Sequence, residues 1–242
     1  MTSKNWLRSS VLACATISLA RFAGAAQPAV ALVDAGDAPQ WQTWAAERNW
    51  QIIVPPAANT TDLRVQALAT AVRTAIQAGN ADPARIYLAG RGAASAAVFY
   101  TISRTPDLWA AAIAIEGSAQ PALDTNRIFA ANFSNVPILW VTADPAGESA
   151  AARLKAAGLR IEWRTSQGAT SSVVFDWLNQ HHREEFPPEI DCETNSPSFA
   201  SCFCNAIPTT MRGLMESNAV TPSWRNVSST NPQTVAGSPG GR

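Results

Sequence analysis

The sequence predicts an open, doubly wound α/β sheet of about six mostly parallel strands, followed by a small C-terminal extension. Three observations carry this. Short apolar runs alternate with stretches of helical periodicity along most of the chain. The runs are apolar throughout rather than every second residue, as strands covered on both faces must be. Glycine, proline and short polar clusters punctuate the boundaries between the two patterns. Right-handed crossovers then place helices on both faces of one sheet.

Taken in order, Ala29–Val33 reads as the first strand, followed by the turn Asp34-Ala35-Gly36-Asp37 and a helix over about Pro39–Arg48. Gln51–Val54 is a second strand stopped by Pro55 and Pro56. Thr61 is placed to cap a helix over Asp62–Ala78, with Leu68, Val72 and Ile76 on one stripe and Gly79 as its stop. Arg85–Ala89 is the third strand and about Ala93–Arg104 the helix after it. Ala111–Ile115 and Pro137–Val141 are the fourth and fifth strands. Glu148–Ala157 is helical, ending at Gly158. Leu159–Trp163 is the sixth strand and Ser172 to about His182 the last helix. In such a sheet, ligands bind beyond the carboxyl ends of the strands, near the point where strand order reverses. The segments to watch are Asp34–Asp37, Gly90–Ala94, Glu116–Ser118, Ala143–Pro145 and Gln167–Thr170.

Composition narrows the function classes. Of 242 residues, 47% are hydrophobic and 15% charged, which suits a packed domain rather than a disordered chain. Eighteen basic residues balance eighteen acidic ones, and no basic stripe appears, so nucleic-acid binding is not expected. At the N-terminus, Lys4 and Arg8 precede a short apolar run, Val11–Ala20, and the small-residue site Ala23-Gly24-Ala25. This is the pattern of a secretory signal peptide over residues 1–25, and it implies export to a periplasmic or extracellular space. The run is too short to span a bilayer, and no membrane span is expected in the mature chain. Val11-Leu12-Ala13-Cys14 faintly resembles a lipoprotein box.

Removing Cys14 leaves Cys192, Cys202 and Cys204, of which Cys192 can pair with either of the others in an oxidising compartment. No metal site is expected, because metal-ligand spacing is lacking and no histidine lies near these cysteines. Residues 28–185 form the main domain. Residues 186–217 form an extension that can make a strand pair with a disulfide. Residues 218–242, rich in Ser, Thr, Asn, Pro and Gly, read as a flexible tail. Asn59-Thr60-Thr61, Asn132-Phe133-Ser134 and Asn226-Val227-Ser228 have the glycan-acceptor pattern.

The chemistry turns on one segment. Asp82-Pro83-Ala84-Arg85-Ile86-Tyr87-Leu88-Ala89-Gly90 resembles the approach to the nucleophile elbow of esterase-type α/β-hydrolases, such as polyhydroxybutyrate-depolymerase-like, feruloyl-esterase-like and dienelactone-hydrolase-like proteins. Val136-Pro137-Ile138-Leu139 before Thr142-Ala143-Asp144-Pro145, and Phe175-Asp176-Trp177-Leu178, extend the resemblance over roughly residues 28–183. Ile190–Ser196 and the stretch to Phe203 resemble an extension of some such hydrolases.

The resemblance implies a catalytic serine in Gly-x-Ser-x-Gly, an acid after the fifth strand and a histidine after the sixth. Here the elbow reads Gly90-Arg91-Gly92-Ala93-Ala94, so Gly92 stands where the nucleophile would be. Asp144 matches the acid, although a helix cap alone accounts for it. Ala169 stands at the histidine position, within Ser166-Gln167-Gly168-Ala169-Thr170-Ser171. The chain's two histidines, His181 and His182, lie about 12 residues further on, roughly 18 Å along a helix, and suit an exposed helix end. Ser95, the nearest hydroxyl, lies a turn into the helix and should point elsewhere.

The implied oxyanion donors are the Ala93 amide and one near Gly36 or Asp37. A carboxylate at Asp37 opposes an oxyanion if it turns inward. Glu116 and Ser118 also lie at a carboxyl strand end, and a Glu116/Asp144 pair offers acid–base chemistry of the glycosidase kind. Trp109, Trp140, Trp163 and Trp177 read as core, while Trp41 or Trp44 can rim the pocket.

The expectation is an exported α/β-hydrolase-fold protein that is a catalytically inactive pseudohydrolase. It needs no cofactor, and its residual pocket takes a small molecule, a polymer or a protein. A carboxylic-ester hydrolase or depolymerase using a displaced group, and a non-catalytic interaction module working through Pro187–Met215, are the alternatives.

Overall fold

The structure, a computed structural model, describes residues 25–185 together with Glu193 and Phe199. Six strands form one sheet: β1 (Gln27–Leu32), β2 (Gln51–Ile53), β3 (Ala81–Arg91), β4 (Ala111–Ile115), β5 (Ile138–Val141) and β6 (Ile161–Arg164). Their order is β2-β1-β3-β4-β5-β6, and every neighbouring pair is parallel. From β1 the chain turns to one side for β2, then crosses back to β3 on the other. Strand order therefore reverses between β1 and β3, and open sheets of this kind bind ligands beyond the carboxyl ends at such a point.

Helices α1 (Ala38–Ala46), α2 (Thr61–Gln77), α3 (Ala94–Arg104), α4 (Gln120–Leu123), α5 (Pro145–Ala156) and α6 (Ser171–Leu178) connect or follow the strands. Because strand side chains alternate between faces, each strand feeds two cores. Ala29, Ala31, Ile86, Leu88, Ile138 and Trp140 meet Leu68 and Val72 of α2, Phe99 of α3 and Ala151 of α5. Val30, Leu32, Tyr87, Ala89, Leu139 and Val141 meet Trp41 of α1 and Phe175 and Leu178 of α6. Buried Trp109, Trp140 and Trp177 are core residues, and so is Trp41, which therefore does not rim a pocket.

Several boundaries differ from expectation for local reasons. The cap of α2 is Thr60, not Thr61: its backbone is extended and its hydroxyl accepts from the Leu63 N–H, while Thr61 has already turned helical. β3 begins at Ala81, well before Arg85, because Gln27 pairs with Ala81 across a bulge between Gln27 and Ala29. α5 begins at Pro145 rather than Glu148, with Asp144 as its cap and proline suited to the first turn. α6 ends at Leu178, so His181 and His182 follow the helix instead of lying in it.

Asn132 is buried and spends its amide on the Ser103 carbonyl and on the Glu193 backbone, which removes it as a glycan acceptor in the folded chain. The leader, Cys14, the three later cysteines, the strand pair in the extension, the tail and Asn226 lie outside the described residues. Among the described residues no helix is long and apolar enough to cross a membrane.

Candidate active site and its missing groups

The sharp turn between β3 and α3 is built as a nucleophile elbow is built. β3 runs to Arg91, Gly92 takes a left-handed φ of +57°, and α3 begins at Ala94. Contacts from below fix the turn. The Gly92 N–H donates to the Ile115 carbonyl at 2.7 Å and the Ser95 N–H to the Gly92 carbonyl at 3.1 Å. Trp140 Nε1 donates to the Gly117 carbonyl at 2.9 Å, holding the β4 turn beneath the elbow. A Cβ placed on Gly117 would come within 2.0 Å of the Gly92 oxygen, so this approach requires glycine. A Cβ placed on Gly92 would meet only the Glu116 carbonyl, at 4.0 Å. The elbow thus has room for a side chain at 92 and presents none.

The nearest hydroxyl does not replace it. Ser95 is fully buried, and its Oγ donates to the Ile115 carbonyl at 2.9 Å, directed under the turn rather than out of it. Ala169 follows a 3-10 turn over Ser166–Gly168 and packs against the α1/α6 core. Its methyl group cannot accept a proton. Thr170, beside it, caps α6 through the Val173 N–H.

Asp144 is exposed at the carboxyl end of β5 and caps α5 by accepting from the Ala146 N–H at 2.9 Å. Ser118 is likewise exposed and accepts from the Gln120 N–H. The contacts of Asp144, Ala169 and Ser118 are local. What the fold brings against the elbow is the turn after β1 and the turn after β4.

Those two turns deliver carboxylates. Glu116, itself at φ +51°, accepts from Arg91 Nη2 at 2.8 Å and Nε at 3.1 Å, while Arg91 Nη1 donates to Gln40 Oε1 at 2.5 Å. The Arg91 guanidinium therefore ties the elbow to α1 and to β4. The ion pair is solvent-exposed, worth about 0–1 kcal/mol. Glu116 is thus held by Arg91, and Asp144 by the end of α5.

Beyond β1, the Asp34 carboxylate accepts from the Gly36 N–H at 2.7 Å. Asp37 is half-buried, within reach of the charges of Asp34 and Arg91. Partial burial raises the Asp37 pKa above the ordinary carboxylate range. The Arg91 backbone amide and the Arg91 charge oppose the rise, and the neighbouring Asp34 charge adds to it. The roles of Arg91, Gln40 and Asp34 have no local signature beyond Arg91 lying inside the elbow pentapeptide.

His181 and His182 sit at the opposite end of the strands. They line a cavity of about 190 Å³ with Trp109, Pro137 and Arg160, at the amino ends of β4, β5 and β6. His181 Nδ1 lies 2.9 Å from the Trp177 carbonyl, the contact of an imidazole closing a helix end.

No family model matches the chain, and no curated protein matches it. Among solved structures, SOBER1 from Arabidopsis thaliana is similar at 15% identity and a TM-score of 0.47, over 64% of this chain and 99% of that one. The esterase PE8 is similar at 19% identity and a TM-score of 0.44, over 65% and 91%. The butyrate-bound esterase Est2 of Thermogutta terrifontis is similar at 15% identity and a TM-score of 0.47, over 65% and 84%. The chain has the α/β-hydrolase fold, read from its own parallel sheet and its strand–turn–helix at Gly92.

Proposed function

We propose that the chain is an exported α/β-hydrolase-fold protein that does not hydrolyse esters and uses its residual crevice for binding. One observation carries the reading: the elbow turn is complete, with open space above Gly92, yet it bears no hydroxyl. Acyl transfer by this fold needs an attacking oxygen and a base within hydrogen-bond reach. Position 169 supplies only a methyl group, and Ser95 is occupied below the turn. With both nucleophile and base missing, residual triad chemistry is negligible rather than slow. The ligand class is a small molecule, a polymer end or a partner's chain segment. Export rests on the leader pattern of residues 1–25, and N-terminal sequencing of protein recovered outside the cytoplasm tests it.

The decisive experiment uses short-chain p-nitrophenyl esters and a fluorophosphonate probe. The parent chain is expected to show no turnover above its Ser95→Ala variant and no labelling. The Gly92→Ser/Ala169→His variant is expected to become labelled at position 92. Labelling of the parent that Ser95→Ala abolishes would overturn the reading. So would a folded double variant that stays inert while the parent hydrolyses esters.

A further inference from the structure

We propose that the cavity at the amino ends of β4, β5 and β6 is a binding site for a small oxyanion of the phosphate type. It lies at the other end of the strands from Gly92, and it stands whether or not the elbow is inert.

Two arginines, Arg160 and Arg183, two histidines, His181 and His182, and one carboxylate, Glu184, line this cavity of about 190 Å³. The other carboxylates near these cations are engaged elsewhere. Asp82, within reach of the His182 charge, is held by Arg85 at 2.7 Å. Glu162, within reach of His181, accepts from Arg164 and from Trp177 Nε1. Asp107, within reach of the Arg183 charge, lies 3.7 Å from Arg73. The Arg183 guanidinium donates to two carbonyls, that of Pro83 at 3.0 Å and that of Asp107 at 3.2 Å, which fix its position without cancelling its charge. The exposed Arg160 side chain has no hydrogen bond or ion pair among the described residues.

The wall that carries the histidines is fixed to β3. The Tyr87 hydroxyl donates to the His181 carbonyl at 3.0 Å, and the Arg183 N–H donates to the Ala84 carbonyl at 2.8 Å. The His181 ring lies 4.2 Å from that of Trp177 and spends Nδ1 on the Trp177 carbonyl, so Nε2 is its remaining polar ring atom. Buried Trp109 and Pro137 add apolar lining, and by keeping water from one side they strengthen the pull of the cations on an anion. The volume falls below the roughly 300–1,000 Å³ of sites for drug-sized molecules, so it suits an anionic group rather than a whole cofactor. Two guanidinium groups beside two imidazoles favour a dianion, and the guanidinium fork matches phosphate oxygens.

His181 and His182 are the chain's two histidines, so every histidine ring signal in a nuclear magnetic resonance spectrum reports on this cavity. The test titrates the full chain with inorganic phosphate at constant pH and ionic strength, with chloride as the balancing anion. Saturable shifts of the ring signals are expected. Arg160→Gln removes a side chain without partners, so the phosphate-free melt should not change, while Kd should rise about tenfold, the scale of one charge-assisted hydrogen bond. Arg64→Gln removes the same charge from the first turn of α2, and solvent screening should keep its Kd within about twofold of the parent. Phenyl phosphate separates the sources of the anion. Tighter binding than inorganic phosphate upholds the site as one for a phosphate group on a larger molecule, and equal binding upholds it as one for the free ion. Shifts that stay linear in phosphate, or equal weakening by Arg160→Gln and Arg64→Gln, would overturn the proposal.

Discussion

Two glycines of the elbow region are glycine for different reasons, and substitution separates them. Gly92 has a left-handed backbone and open space, so Gly92→Ala meets only the conformational penalty, about 1–2 kcal/mol. Gly117 has no room: a methyl group there would press on the Gly92 oxygen and on Ser95. Gly117→Ala must displace backbone and should cost about 3 kcal/mol or more. Thermal melts of the two variants check the order, and equal losses would contradict it. The small cost at Gly92 is also why the Gly92→Ser test protein should fold.

Asp107 supports a prediction with a pH sign. It is half-buried on the 3-10 turn after α3, its Oδ1 lacks a hydrogen-bond partner, and Arg73 is 3.7 Å from its other oxygen. Desolvation raises its pKa above 3.8 despite the opposing charge of Arg73. A carboxyl whose folded pKa is raised is easier on the native state when protonated. Its ionisation therefore destabilises the fold as pH climbs from 3.8 through the raised value, and the cost is fully present above it. Asp107→Asn should raise Tm at pH 7 by about 2–4 °C, the effect of roughly 1 kcal/mol in a domain of this size. The gain should shrink as pH falls and vanish below 3.8.

At the scale of elements, α3 does more than support the elbow. Near its C-terminal end, Arg104 is buried, and its guanidinium lies 4.9 Å from the Tyr100 ring, 5.0 Å from Phe129 and 5.8 Å from Phe199. It also donates to the Arg127 carbonyl at 2.8 Å. Beside it, Asn132 clamps the Glu193 backbone with two hydrogen bonds of 2.8 Å. The end of α3 and the turn over Ala131–Phe133 are therefore a socket for Glu193 and Phe199. Asn132→Ala strands the buried Ser103 carbonyl and frees Glu193, costing about 1–3 kcal/mol. Cleavage at Glu193 by a glutamate-specific protease should accelerate in this variant. An unchanged cleavage rate would show that Phe199 alone holds the segment.

This socket illustrates what a sequence withholds. The six strands and the longer helices are legible because their signal is local: apolar runs such as Ala111–Ile115, the stripe on α2, proline and glycine at the stops. The pairing of Asn132 with Glu193 spans 61 residues and leaves no periodicity behind. Thr60 and Thr61 are chemically equivalent caps, and only the backbone angle at each decides between them. At the site, the empty positions Gly92 and Ala169 are readable as letters. The tie of Arg91 to Glu116 and Gln40 is not, because its partners lie 25 and 51 residues away in sequence and meet it only once the sheet has formed.

For the whole molecule, the sheet joins two cores that share every central strand. Tyr87 faces α1 and α6, stacked on Trp50 at 5.1 Å, while its neighbour Leu88 faces α2 and α3. Phe175 packs 4.9 Å from Trp50 on the first side, and Phe99 packs 5.4 Å from Trp140 on the second. A strand stripped of one layer exposes alternate apolar side chains and loses its cover, so neither layer holds without the other. Phe175→Ala and Phe99→Ala should each cost about 3–5 kcal/mol, although they lie on opposite faces. Both should lower the urea midpoint without changing the slope m. Tryptophan fluorescence and far-ultraviolet circular dichroism should trace one coincident transition in each variant. If Phe175→Ala instead splits the curve, with fluorescence changing before helix content, the α1/α6 layer unfolds by itself and the crevice at Gly92 rests on the α2/α3 side alone.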